Sequence, residues 1–130
     1  MTNQLADERI PTSLKWVVAG VWLHAVLNGA AGIFLLALIH GQHGEGVAQV
    51  TFIAFLSILI GVLLGTCAAL APSGARWTRR TVLVIEWLMI VAGVIQLLFS
   101  GSIISLAGIA IAGVIVLAYS SAEGKEWFTV

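Results

Sequence analysis

The stretch Thr81–Tyr119, TVLVIEWLMIVAGVIQLLFSGSIISLAGIAIAGVIVLAY, carries a single charged residue, Glu86. Its only interruption is Ser100, Gly101 and Ser102, a connection so tight that the two apolar runs it joins are predicted to be antiparallel neighbours. A hydrocarbon core needs roughly 20 helical residues to cross it. The runs Arg79 to Phe99 and Ser102 to Tyr119 are therefore two candidate spans, and the second extends toward Ser120, Ser121 and Ala122.

Two more spans precede them, Leu14 to Ile39 and Val47 to Ala71. The first follows Arg9 and Lys15 and is followed by small residues, as a signal peptide would be. It runs well past the usual apolar length of about 7–15 residues, so it is expected to be a spanning helix. Lipid cannot satisfy an open backbone, and barrel strands would alternate polar and apolar residues, which these runs do not. The expected fold is all-α: one polytopic domain over residues 1–130, four transmembrane helices in an up-and-down bundle, with short polar or mixed tails at 1–13 and 123–130 lying in water or along the headgroups.

Whole-chain composition agrees. With 60% apolar and 9% charged residues and a mean hydropathy of +1.07, the chain cannot cover itself with a soluble surface. Formal net charge is zero, which leaves no basic stripe for a nucleic acid, so no nucleic-acid partner is expected. The lone cysteine, Cys67, cannot form an internal disulfide and is expected to be a small core residue.

All six basic residues fall on one side of this topology. Arg9 and Lys15 precede the first helix, Arg76, Arg79 and Arg80 lie between the second and third, and Lys125 follows the fourth. By the positive-inside rule both termini are expected in the cytoplasm. Trp16, Trp77 and Trp127 lie on the same side as interfacial anchors, together with Arg76, Arg79 and Arg80. Pro72 is expected to close the second helix, with Ser73 and Thr78 as candidate N-caps beyond it.

Close packing must hold such a bundle, because lipid offers helices no hydrophobic drive to associate. The second helix has Ser57, Gly61, Gly65 and Ala69 at intervals of four; the first offers Ala25, Gly29 and Gly32, the third Gly93, and the fourth Gly108 and Ala112. The stripe fits packing within one chain or a homodimer seam, and the sequence does not separate the two.

Glu86 needs a partner or a role, because an intramembrane carboxylate is expensive. Counted at 1.5 Å per residue, His24 lies about 12 Å beyond Trp16 and Glu86 about 9 Å beyond Arg80, nearly the same level. Thr66 and Cys67 lie about 9 Å and 8 Å from Pro72. Asn28 follows His24 on one face, and Glu86, Met89, Gly93 and Gln96 share another. An intramembrane polar cluster of Glu86, His24, Asn28, Thr66 and Gln96 is therefore expected, with Glu86 accepting a hydrogen bond from His24, Asn28 or a bridging water. Alternatively, Glu86 reaches back to Arg76, Arg79 or Arg80.

Other chemistry finds little footing. His40, His43 and Glu45 have a spacing that a divalent metal could use, but Gly41, Gly44 and Gly46 mark a flexible turn, and no metal site is expected. A haem would need a second axial group at the depth of His24, and no other spanning helix has a histidine, so no cofactor is expected. Hydrolytic and phosphate-binding motifs are missing.

The run from Trp77 through Arg79, Arg80 and Glu86 to Trp87, with the closing Ala122, Glu123, Glu126, Trp127 and Phe128, resembles small four-helix membrane proteins of high-GC Gram-positive bacteria. That resemblance implies a topology and a bacterial membrane, with no activity attached. Small multidrug-resistance transporters share the size and helix number, but their carboxylate lies in the first helix, whereas Glu86 is in the third. The glycine and arginine signature of fluoride channels is missing.

Two functional readings follow. One is a non-catalytic accessory or scaffold subunit partnered by the lipid bilayer and by itself or another membrane protein. The other is a small proton-coupled transporter or channel using Glu86 with His24 and Asn28.

Overall fold

The computed structural model describes residues 10–130. Residues 1–9, which include Arg9 and most of the expected Met1 to Ser13 tail, lie outside the described residues. Five α-helices follow in order: α1 Thr12–Ile39, α2 Val47–Leu70, α3 Arg76–Ser100, α4 Ile103–Ser120 and α5 Ala122–Trp127, with a 3-10 turn over Ala71–Ser73. The first four are long and apolar enough to cross a membrane. Among the described residues there is no strand.

The observed spans are close to the expected ones, and each offset has a local cause. Helix α1 begins at Thr12, directly after Pro11, a residue that fits the entry to a helix because it has no N–H to leave unpaired. Helix α3 begins three residues early, at Arg76, and neither Ser73 nor Thr78 caps it. Ser73 Oγ donates to the Leu70 carbonyl and Thr78 Oγ1 to the Ala75 carbonyl. The Arg76 N–H is accepted instead by the carbonyl of Val130, 3.0 Å away. Between them Gly74, at φ 68°, turns the chain in a left-handed conformation that suits glycine.

That contact shows what becomes of the C-terminal tail. It folds back on the bundle: Ser121 Oγ accepts from the Gly124 N–H, α5 forms, and Phe128 is buried with its ring stacked on Tyr119 at 5.1 Å. Trp127 Nε1 donates to the Ala71 carbonyl, and Arg76 Nε donates to the Thr129 carbonyl. The start of α1, the α2–α3 turn and α5 thus share one end, where Ser13 Oγ also donates to Glu123. This basic end holds Lys15, Arg76, Arg79, Arg80 and Lys125.

Helix α1 packs along α2 and α3 along α4, and smaller α2–α3 and α1–α4 contacts close the bundle. Helices α1 and α3 are therefore diagonal. The main core, built on Val21, Ala25, Leu64, Cys67, Val82, Ile85, Ile115 and Tyr119, occupies the half nearer the basic end. In the far half the hairpins are less tightly joined, although α1 and α2 stay in contact through Gly32 against Ala54 and Ile58.

The small-residue stripe is used inside the chain. A Cβ on Gly61 would meet Ala25 O and Gly29 N, both at 2.8 Å. Gly65 faces Trp22 and Ala25, and Ser57 Oγ donates to the Asn28 carbonyl across the same seam. Ala69, at the end of the stripe, is exposed. Gly93 packs on Ile109 within the second hairpin.

Gly61→Ala is expected to destabilise the chain by about 1–3 kcal/mol, the usual range for overpacking. Gly113→Ala, whose new methyl meets no atom within 4 Å, is expected to be neutral or slightly stabilising. Thermal unfolding in detergent micelles checks both.

Candidate functional site

Helix α1 brings His24 to the bundle interior because Val21, His24 and Ala25 lie on its buried face. Helix α3 does the same for Glu86, which follows Val82 and Ile85 on one stripe. The two side chains meet across the diagonal. His24 Nδ1 lies 3.0 Å from Glu86 Oε1 and 2.9 Å from Oε2. Only the approach to Oε1 has the direction of a hydrogen bond; Oε2, though close, is a sealed oxygen with no directed partner. Glu86 is 0% exposed and His24 4%.

Among the described residues, no arginine pairs with Glu86. Arg79 Nε donates to the Tyr119 carbonyl at 2.7 Å and Arg76 to Thr129, so the basic end ties down α4 and the C-terminus instead.

Asn28 also takes a different role from the expected one. Its Nδ2 donates to the His24 carbonyl, 2.9 Å away, rather than to Glu86. With Ser57 on its own carbonyl, it braces the turn of α1 that carries His24. Thr66 lies outside the cluster, exposed, its Oγ1 on the Val62 carbonyl. The reason is azimuth: α2 turns Leu64, Cys67 and Ala68 inward, which places residue 66 on the outer side of the helix. Gln96 does not reach Glu86 but lines a cleft beside His24.

That cleft lies in the far half, between α1, α3 and α4. Two adjoining hollows, about 180 and 380 Å³, share His24, Met89, Gln96, Ile104 and Gly108 as walls. Ser105, buried with no partner for its hydroxyl, lines the smaller one. From the sequence, Ser105 is with Asn28, Ser57 and Gln96 one of the four uncharged polar residues of that half able to continue a pathway from Glu86; the sequence does not disclose that its hydroxyl is left without a partner.

His40, His43 and Glu45 are exposed around the far-end turn, where Gly41, Gly44 and Gly46 take positive φ. No group of three metal-ligating side chains comes together among the described residues.

Comparison with protein-family models, curated proteins and solved structures gave no match. The chemistry therefore has to be drawn from the geometry of the pair. A lone charge in lipid is costly, whereas an imidazole and a carboxylate sharing one proton carry no net charge in either arrangement. Removing one partner leaves the other buried and unmatched.

His24→Leu alone is expected to lower stability by about 3–5 kcal/mol, as breaking a buried pair does. Glu86→Leu alone is expected to cost about 1–3 kcal/mol, the desolvation of one unpaired donor. The double variant is expected to be more stable than His24→Leu, because neither polar group then remains. Unfolding of all three in matched micelles measures the coupling.

Proposed function

We propose that this chain is a small non-catalytic subunit of a bacterial cytoplasmic membrane, both termini cytoplasmic, working with a second copy of itself or within a larger membrane complex. The observation that carries this reading is the closure of its one intramembrane ionisable pair. Glu86 is fully buried, its partner comes from the diagonal helix, and none of the cavities described above touches it. A carboxylate so placed holds helices in position. The orientation is supported by the basic residues gathered at one end, and the bacterial setting by the resemblance to small four-helix proteins of high-GC Gram-positive bacteria.

A second reading, proton-coupled transport, is favoured by one specific feature. His24 borders the cleft on one side and Glu86 on the other, so a proton taken up from the cleft would reach the carboxylate through a single ring. Transport would also need a passage from Glu86 to the basic end, where Val82, Ile85, Leu64 and Tyr119 pack closely.

Purification in native lipid separates the readings. The subunit reading expects a stoichiometric partner or a defined homo-oligomer, retained by the His24→Leu/Glu86→Leu double variant. Proton-coupled flux carried in liposomes by the chain without a second protein, as a homodimer or alone, and lost in Glu86→Gln, would replace it with the transport reading.

A further inference from the structure

The closed His24–Glu86 contact uses Nδ1 and leaves the other ring nitrogen without a hydrogen bond among the described residues. Nε2 is also not among the sealed polar atoms, and His24 lines both hollows of the cleft.

Proton bookkeeping fixes what Nε2 offers. The pair is net neutral in two arrangements: imidazolium with carboxylate, or imidazole accepting at Nδ1 from a carboxylic acid. Both place a hydrogen on Nε2. The remaining arrangement, neutral imidazole donating from Nδ1 to a carboxylate, leaves Nε2 a bare acceptor but buries a net negative charge. The neutral forms are the less costly ones in lipid, so the cleft receives an N–H donor from His24.

A second donor sits nearby. Ser105 is 93% buried on the wall of the smaller hollow, and its hydroxyl is sealed in the resting rotamer with no partner. Most helical serines satisfy themselves on the preceding turn, as Thr51 and Thr66 do here with their threonine hydroxyls; Ser105 does not. Gln96 adds an amide, Asn28 a second whose Nδ2 is held by the His24 carbonyl, and the remaining walls are Met89, Leu27, alanines, glycines and isoleucines.

The cleft is flanked by exposed Leu27 and Ala31, well inside α1, and by exposed Ile104 and Ala107 in the opening turns of α4. It therefore opens sideways, toward acyl chains, and an occupant enters from the bilayer. Its volumes approach and enter the range of about 300–1,000 Å³ usual for small-molecule sites.

We propose that the cleft binds an uncharged, membrane-dissolved lipid through carbonyl oxygens, which accept hydrogen bonds from His24 Nε2 and, once its side chain turns about χ1 into the smaller hollow, from Ser105 Oγ. Two sources share that chemistry, the head of an isoprenoid quinone and the ester carbonyls of a diacylglycerol. The inference rests on the closed pair, which aims the ring, and is independent of any partner subunit.

The test is binding to the chain in nanodiscs, titrated with a short-tailed benzoquinone and, separately, with a short-chain diacylglycerol. Gly108 supplies the decisive variant, since a Cβ there meets nothing within 4 Å although the residue lines both hollows. Gly108→Leu is expected to fill the cleft, keep the thermal midpoint, and weaken binding at least tenfold; Ser105→Ala is expected to weaken it severalfold. Saturable binding of either probe with this variant pattern supports the proposal and names the source. No saturable binding of either probe, or equal binding by folded Gly108→Leu, overturns it. Either of those results leaves the subunit reading standing, because that reading is scored by copurification.

Discussion

A carboxylate with no exposure to solvent and a single imidazole within reach constrains everything around it. Glu86 cannot be solvated from either end of the bundle, so α1 and α3 must keep their register to within the length of one hydrogen bond. The two helices are diagonal and share little direct packing. Their relation is set by α1 on α2, by α3 on α4, and by the contact that crosses between them.

The packing around that contact divides the molecule in two. Near the basic end, the side chains of all four spans and the folded-back C-terminus interlock, with Tyr119 between Cys67, Phe128 and the α3 face. In the far half the two hairpins are held mainly within themselves, by Gly32 on Ala54 and by Gly93 on Ile109. The pair sits at the boundary, with Glu86 on the packed side and His24 on the open one. Close approach of backbones does in lipid what apolar burial does in water, and the distribution of glycines decides where the two helices of each hairpin come together.

Much of this was legible in the sequence. Hydropathy alone marks the four spans, and counting residues from Trp16 and Arg80 puts His24 and Glu86 at one depth; they lie 3.0 Å apart. Depth, however, does not fix azimuth. Thr66 has the same depth and points outward, while Asn28, on the correct face, spends its amide on its own helix. Nor does charge disclose fixed pairing: Arg76 and Arg79 bond carbonyls at Thr129 and Tyr119 that no pattern singles out. The tail was illegible for the same reason. Trp127 reads as an interfacial anchor, and only its bond to the Ala71 carbonyl and the stacking of Phe128 on Tyr119 show that the tail docks.

The central claim is that His24 and Glu86 form one net-neutral pair whose free ring nitrogen carries a hydrogen. Solid-state NMR on bilayers, with ¹⁵N-histidine and ¹³C-glutamate labels, tests it directly, because His24 is the only histidine within a span. The account predicts a strong dipolar coupling between His24 Nδ1 and the Glu86 carboxyl carbon, and a protonated Nε2. An unprotonated Nε2, or no coupling to the carboxyl carbon, would contradict it.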